Sequence, residues 1–207
     1  MLCVRGAGRI ALQGCMAILL IRHGETVGNA TRVLQRSDVL LNERGQRQAV
    51  LLAERLIAHG FAHVLCSDLP RAQMTAAPLR ARSDVVIEET PLLQERNFGD
   101  LRGRPYDELG GDPFAPGFSP PNGETDDAFH RRVAQAFALI VDRRRSLAGP
   151  LVVVTHGMVC RAMVERHARA AAVPAKFDNT SVTVIGAAPP HVAHLVNCTQ
   201  HLAAASA

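Results

Sequence analysis

Two apolar runs, far apart in the chain, end on the same dipeptide. Ala17-Ile18-Leu19-Leu20-Ile21 leads into Arg22-His23-Gly24-Glu25, and Leu151-Val152-Val153-Val154 leads into Thr155-His156-Gly157. Short continuous apolar runs of this kind suit strands buried on both faces, as in a parallel sheet covered by helices. In open α/β sheets ligands bind at the carboxyl edge of the strands, so the chain delivers two imidazoles and an arginine to a binding edge. Glycine at 24 lets the backbone come close to a ligand and offers an N–H to an anion. The set suits a phosphate.

The rest of the chain reads as alternating elements. Strands are expected at 17–22, 62–67, 84–88, 151–155 and 181–186, with a further one at 191–196. Asn42 can N-cap a helix running to Ala58 and closed by Gly60; helices are also expected at 69–80, 124–147 and 157–169. This order predicts an α/β fold, three-layer αβα, with a doubly wound and mostly parallel sheet. With 207 residues, 47% hydrophobic and 20% charged, the chain can bury one well-cored domain, expected over 16–207. Residues 98–124 break the pattern. Within them, 99–123 hold six glycines and five prolines, with Phe98, Tyr106, Phe114 and Phe118 spaced along the stretch. A long irregular segment inside a compact domain is often a binding loop, and this one is expected to act as a lid that selects the leaving group.

Six ordered segments carry a family resemblance. Arg22-His23-Gly24-Glu25-Thr26, with Asn29, resembles the opening signature of the histidine phosphatase superfamily, in the branch that includes cofactor-dependent phosphoglycerate mutases and many small phosphatases. Asp38, Leu41, Asn42, Gly45, Gln48 and Ala49 match its next stretch, and Ser67-Asp68-Leu69-Pro70-Arg71-Ala72 through Ala76 the one after. Glu95-Arg96-Asn97-Phe98-Gly99, Gly123-Glu124-Thr125 and Val154-Thr155-His156-Gly157 complete the series, in the family's order. The resemblance implies a phosphoglycerate mutase-like fold and a phosphohistidine intermediate that water hydrolyses.

Each matched residue then has a physical task. A neutral imidazole is nucleophilic near pH 7, which makes His23 the candidate nucleophile. Arg22 and Arg71 would clamp the phosphoryl oxygens with planar forked donors, and His156 would donate to the same oxygens, most usefully as imidazolium. Glu95 is the candidate general acid. Glu25 is the competing carboxylate, with a structural pairing to an arginine or backbone amides as its other reading; it is counted with Gly24, Thr26, Asn29, Arg96 and Arg102 among the residues expected to bind substrate. Arg96, Arg102 and Arg104 could meet a second anionic group. With this much cationic charge the expected mechanism needs no metal and no cofactor.

The expected activity is hydrolysis of a small phosphorylated metabolite, a phosphomonoesterase. Two alternatives stand beside it: a cofactor-dependent phosphoglycerate mutase, and a non-catalytic phospho-ligand-binding regulator. In the mutases a lysine follows the glycine matching Gly103 by three residues; here that residue is Tyr106. Paired arginines further along the lid are replaced by Asp112-Pro113-Phe114 and Pro120-Pro121, which favours hydrolysis.

Composition excludes other classes. The formal charge is +4, the arginines are scattered, and aromatic residues make up 4% of the chain, so neither a phosphate-tracking stripe nor a base-stacking platform is present. No stretch reaches the eighteen or so apolar residues of a membrane span. The partner expected is a small phosphate ester, with no nucleic acid and no membrane; a homodimer is left open. Five cysteines without C-x-x-C spacing fit a reducing cytoplasm. Residues 1–15 lack the apolar run of an export signal and are expected to be a disordered extension, or to precede a true start at Met16.

Overall fold

The structure is a computed structural model that describes residues 4–5, 9–10 and 16–203. The expectation for residues 1–15 lies outside these, apart from the backbone of a two-stranded ribbon, β1 (Val4–Arg5) with β2 (Arg9–Ile10).

The main sheet follows from the apolar runs. β3 (Ala17–Arg22) is buried at every residue, and β6 (Leu151–Thr155) pairs with it in parallel, Arg22 opposite Thr155. β4 (His63–Ser67) pairs with the other side of β6, and β5 (Ile87–Thr90) closes that edge, both in parallel. β7 (Val182–Gly186) and β8 (Ala193–Cys198) add two antiparallel strands beyond β3, giving the order β5-β4-β6-β3-β7-β8.

Alternation along each central strand feeds two cores. Ile18, Leu20, Leu151 and Val153 join a core completed by α4 (Asp126–Arg145) and α5 (Gly157–His167). Leu19, Ile21, Val152 and Val154 join the opposite core with α2 (Glu43–His59) and α3 (Pro70–Arg80). Each fully buried aliphatic side chain contributes roughly 1.5–3 kcal/mol over exposure, and the two-sided burial explains the unbroken apolar runs. The expected three-layer α/β fold with a mostly parallel sheet is what the structure shows.

Boundaries differ in several places; the strand expected at 191–196 forms at Ala193–Cys198, and the helix expected at 157–169 ends at His167. The strand expected at 84–88 forms at Ile87–Thr90: the Val86 carbonyl accepts from the Val64 N–H at 3.1 Å, but its side chain stays 64% exposed and the register with β4 runs from Ile87. The helix expected at 124–147 starts at Asp126, with the Thr125 hydroxyl accepting from the Ala128 N–H at 3.2 Å. Two single turns escaped the periodicity: α1 (Val27–Ala30), held by a capping box between Thr26 and Asn29, and α6 (Gln200–Ala203). Among the described residues no helix is long and apolar enough to cross a membrane.

Candidate active site

The ends of β3, β4 and β6, with the segment that follows β5, meet at one edge of the sheet. The His23 N–H donates to the Thr155 carbonyl at 2.8 Å, which locks the two His-Gly exits side by side. The imidazoles of His23 and His156 lie with ring centroids 5.1 Å apart. Arg22, His23, Arg71 and Glu95 line a cavity of about 530 Å³, and Gly157 joins them from the start of α5.

The backbone that presents His23 is held from three sides. Thr180 donates its N–H to the carbonyls of Arg22 and His23 at 3.0 and 3.3 Å, and Asn179 Nδ2 donates to the His23 carbonyl at 3.0 Å. Gly24 does not keep its N–H for a ligand as expected. That N–H donates to Thr75 Oγ1 at 3.0 Å, and Thr75 donates on to the Arg71 carbonyl at 2.6 Å, tying the nucleophile loop to α3. Glycine is needed at 24 for a different reason: a β-carbon there would sit 2.7 Å from the Gly45 carbonyl oxygen at the start of α2.

Hydrogen bonding fixes the ring of His23. Its Nδ1 lies 2.7 Å from the Gly24 carbonyl oxygen, and a carbonyl only accepts, so Nδ1 carries the proton and Nε2 keeps its lone pair. Burial, together with Arg71 and Arg22, holds the His23 pKa well below the ordinary imidazole value. The neutral nucleophilic form is therefore the resting one.

His156 departs from its expected charge state. Burial, Arg71 and the neighbouring His23 push its pKa well down as well, so the ring is neutral rather than imidazolium in the free protein. It remains a donor for a reason the sequence does not display. Its Nε2 lies 2.8 Å from Ser67 Oγ, whose oxygen also accepts the Leu69 N–H at 3.3 Å. Among the described residues Nε2 is the acceptor available to the Ser67 hydroxyl proton, which puts the proton of His156 on Nδ1, a buried atom with no partner.

The cations are arranged around the same point. Arg22 donates through Nη1 to the Phe177 carbonyl, and Arg71 donates through Nη1 to the Arg36 carbonyl at 3.2 Å. Both leave a buried Nε without a partner, although buried guanidinium groups are normally saturated with acceptors. Burial lowers both, Arg71 to about 10, and Arg102 adds to the lowering of Arg71; each stays charged near neutrality. Arg102 thus belongs to the same cationic pole. Glu95 accepts from the N–H groups of Arg96 at 3.0 Å and Met158 at 3.2 Å, bonds that aim one carboxylate at the N-terminal turn of α5.

Three expected binding residues are committed elsewhere. Glu25 accepts from Asn42 Nδ2 at 2.9 Å and from Arg44 at 3.0 Å, its structural reading, with no place on the cavity wall. Thr26 caps α1 and donates to Gln35 Oε1 at 3.0 Å. Arg96 lines the cavity but is 2% exposed, donates to the carbonyls of Glu124 and Phe118 and pairs with Asp126 at 3.5 Å. Asn29 does line the cavity; its Oδ1 accepts from the Thr26 N–H and from Asn179, which commits the oxygen and leaves the Nδ2 donor uncommitted among the described residues.

Sequence reasoning missed Arg132. From α4 it grips Glu124 through two bonds of 2.8 and 2.7 Å and donates to the carbonyls of Leu92 and Gln94, fixing the approach to Glu95. The lid itself is built rather than loose. It holds 3-10 turns at Gly99–Leu101 and Tyr106–Glu108, and Gly99 (φ 52°) packs so closely on 121–123 that a β-carbon would lie 2.1 Å from the Pro121 carbonyl oxygen.

A buried pole of two imidazoles and two guanidinium groups at a sheet edge, with half-buried Arg102 beside it, defines a phosphoryl-handling α/β protein. The chain belongs to the histidine phosphatase superfamily (branch 1), whose sequence profile matches residues 18–197. Among relatives, it is 38% identical over 184 residues to phosphoglycerate mutase-like protein 4 of Arabidopsis thaliana, covering 81% of this chain and 77% of that one. Solved structures with the same fold include the alpha-ribazole phosphatase of Shigella flexneri (25% identity, TM-score 0.74, 88% and 96% of the two chains). A mycobacterial glucosyl-3-phosphoglycerate phosphatase, solved with VO3, matches at 25% identity and TM-score 0.72 over 82% and 90%.

Proposed function

We infer that this phosphatase hydrolyses phosphomonoesters through a phosphohistidine on His23, without a metal. The observation that carries the reading is the His23 ring, whose Nδ1–H is bonded to the Gly24 carbonyl so that Nε2 faces the chemistry as a free lone pair. Nε2 attacks phosphorus and the bond to the ester oxygen breaks. Glu95 gives its proton to the leaving alkoxide. Glu95, now a carboxylate, takes a proton from water; that water attacks phosphorus, the P–N bond breaks, and its electron pair returns to Nε2. Arg22, Arg71 and Arg102, with the Nδ1–H of His156, bind the three equatorial oxygens as charge develops on them. Two of those donors, Arg22 Nε and Arg71 Nε, are buried and unpartnered, which a phosphoryl oxygen would relieve.

The substrate reading supported by the named neighbours is a phosphorylated small metabolite, since both of those structures carry phosphatase names. The mutase-like relative is why a second assay belongs with the first. Inorganic phosphate released from a panel of phosphomonoesters in excess EDTA, and abolished by His23→Ala, is the expected result. Activity lost to EDTA removes the metal-free mechanism. Conversion of 3-phosphoglycerate to 2-phosphoglycerate without net phosphate release makes the protein a mutase.

A further inference from the structure

The cavity is far longer than a phosphoryl group needs. Its volume of about 530 Å³ lies in the range that encloses drug-sized molecules, about 300–1,000 Å³. One wall is a single helical stripe: Gly157, Met158, Arg161, Ala162, Glu165 and Arg166 of α5 all line it, while Val159, Cys160, Met163 and Val164 turn into the core. The spacing i, i+1, i+4, i+5, i+8, i+9 keeps one face of the helix along the cavity. Gly157 packs on Arg22, where a β-carbon would be 3.3 Å from Nε, so the stripe starts at the phosphoryl pole. At 1.5 Å per residue it reaches Arg161 about 6 Å and Arg166 about 13 Å further on.

Charge along the stripe is uneven. Arg161 is paired with Glu165 at 2.7 Å. Asp126 is paired with Arg96 and faces His130, and Asp112 accepts the Phe114 N–H. The carboxylates at this end therefore have partners in the wall. Arg166 and Lys176, both exposed and both lining the cavity, have no ion pair among the described residues. Between the poles lies an apolar stretch: Phe98, Phe114 and Tyr106 pack edge to face, at 5.8 and 5.2 Å between centroids.

We propose that the preferred substrate is an elongated phosphomonoester with an apolar middle and a second anionic group that reaches Arg166, about 10 Å or more from the phosphoryl along α5, with Lys176 as a further cation on the cavity wall. This rests on the phosphomonoesterase reading and assigns the second anion to the far end of α5, since Arg96 is already consumed internally.

The test is a chain-length series of ω-carboxyalkyl phosphates, each compared with the alkyl phosphate of equal length, by kcat/KM. At short lengths the ratio is expected to stay near one. At lengths that span the stripe it is expected to rise about fivefold to tenfold at low ionic strength and to shrink with added salt, as exposed charge pairs do. In Arg166→Glu/Lys176→Glu the long-chain ratio falls to one or below. A ratio that is flat with length, or unchanged in the double variant, overturns the subsite while the hydrolysis it is measured by stands. Failure to hydrolyse any member of either series overturns the phosphomonoesterase reading and the subsite with it. An ω-phosphono series separates preference for a carboxylate from preference for a phosphate-like second anion; a larger ratio with either one supports the site.

Discussion

The two ends of the cavity are built on opposite plans. At the inner end Arg22, His23, Arg71 and His156 are between 0% and 7% exposed, and backbone bonds from β6, α3 and residues 179–180 hold them. At the outer end Arg166 stands in solvent at the helix terminus, and exposed Lys176 lines the same cavity from a connecting loop. Burying two guanidinium groups together beside neutral imidazoles is costly, and a fold retains such a pair where a bound dianion supplies the countercharge. The inner end thus fixes one chemistry, while the outer end carries changes in substrate with little effect on the sheet.

That contrast is sharpest at His23. His23→Ala is expected to lower kcat by about 10⁴-fold or more for every ester, measured by phosphate release; a residual rate that depends on the alcohol would mean the inner end does not act alone. Glu95→Gln should split esters by leaving group. Alkyl esters should slow by about 10²–10³-fold and nitrophenyl esters by less than about tenfold, since a good leaving group needs little proton assistance; equal losses remove Glu95 from the acid role.

Ser67 tests whether the inner end depends on tautomer as well as position. Ser67→Ala should cost roughly tenfold in kcat with little change in KM, because His156 then loses the partner that keeps its proton on Nδ1. Ser67→Thr should restore it, and ¹⁵N shifts of His156 should report the change; unaltered shifts in the alanine variant would show that Ser67 only packs.

The smallest effect concerns stability. His201 bonds Thr180 Oγ1 and Arg55, and burial, helped by Arg55, lowers its pKa to about 4. As pH falls from 6.5, the unfolded chain takes up the proton first, so stability present above 6.5 is lost on the way to about 4. Between pH 7 and 4.5 His201→Asn should lose about 2 kcal/mol less than the parent in denaturant titrations. An identical loss would leave His23 and His156 as the source of acid sensitivity.

The strands and the poles of the site were legible because both depend on short-range patterns. Val152 and Val154 alternate cores with Leu151 and Val153, and His-Gly follows each run after a single residue. What stayed hidden depends on contacts between distant residues. Ser67 and His156 are 89 positions apart and Arg132 meets Leu92 across 40; neither pair has a periodic trace. Arg96 carried the right charge for substrate and Glu25 the opposite one, and each found its partner within the protein; the Val86 carbonyl bonds to β4, but its side chain stays exposed.

Gly45 lies on α2, lines no part of the cavity, and touches no group involved in the chemistry. A methyl group there would still lie 2.0 Å from the Glu25 carbonyl oxygen and 2.7 Å from its nitrogen, and relief would come from moving the loop that carries His23. Inactivating changes in a mutational survey would therefore surface on a helix with no view of the substrate. Neither Gly24 nor Gly45 can gain a side chain without displacing the backbone of the other's segment, which ties the evolution of this loop to that of a helix twenty positions downstream.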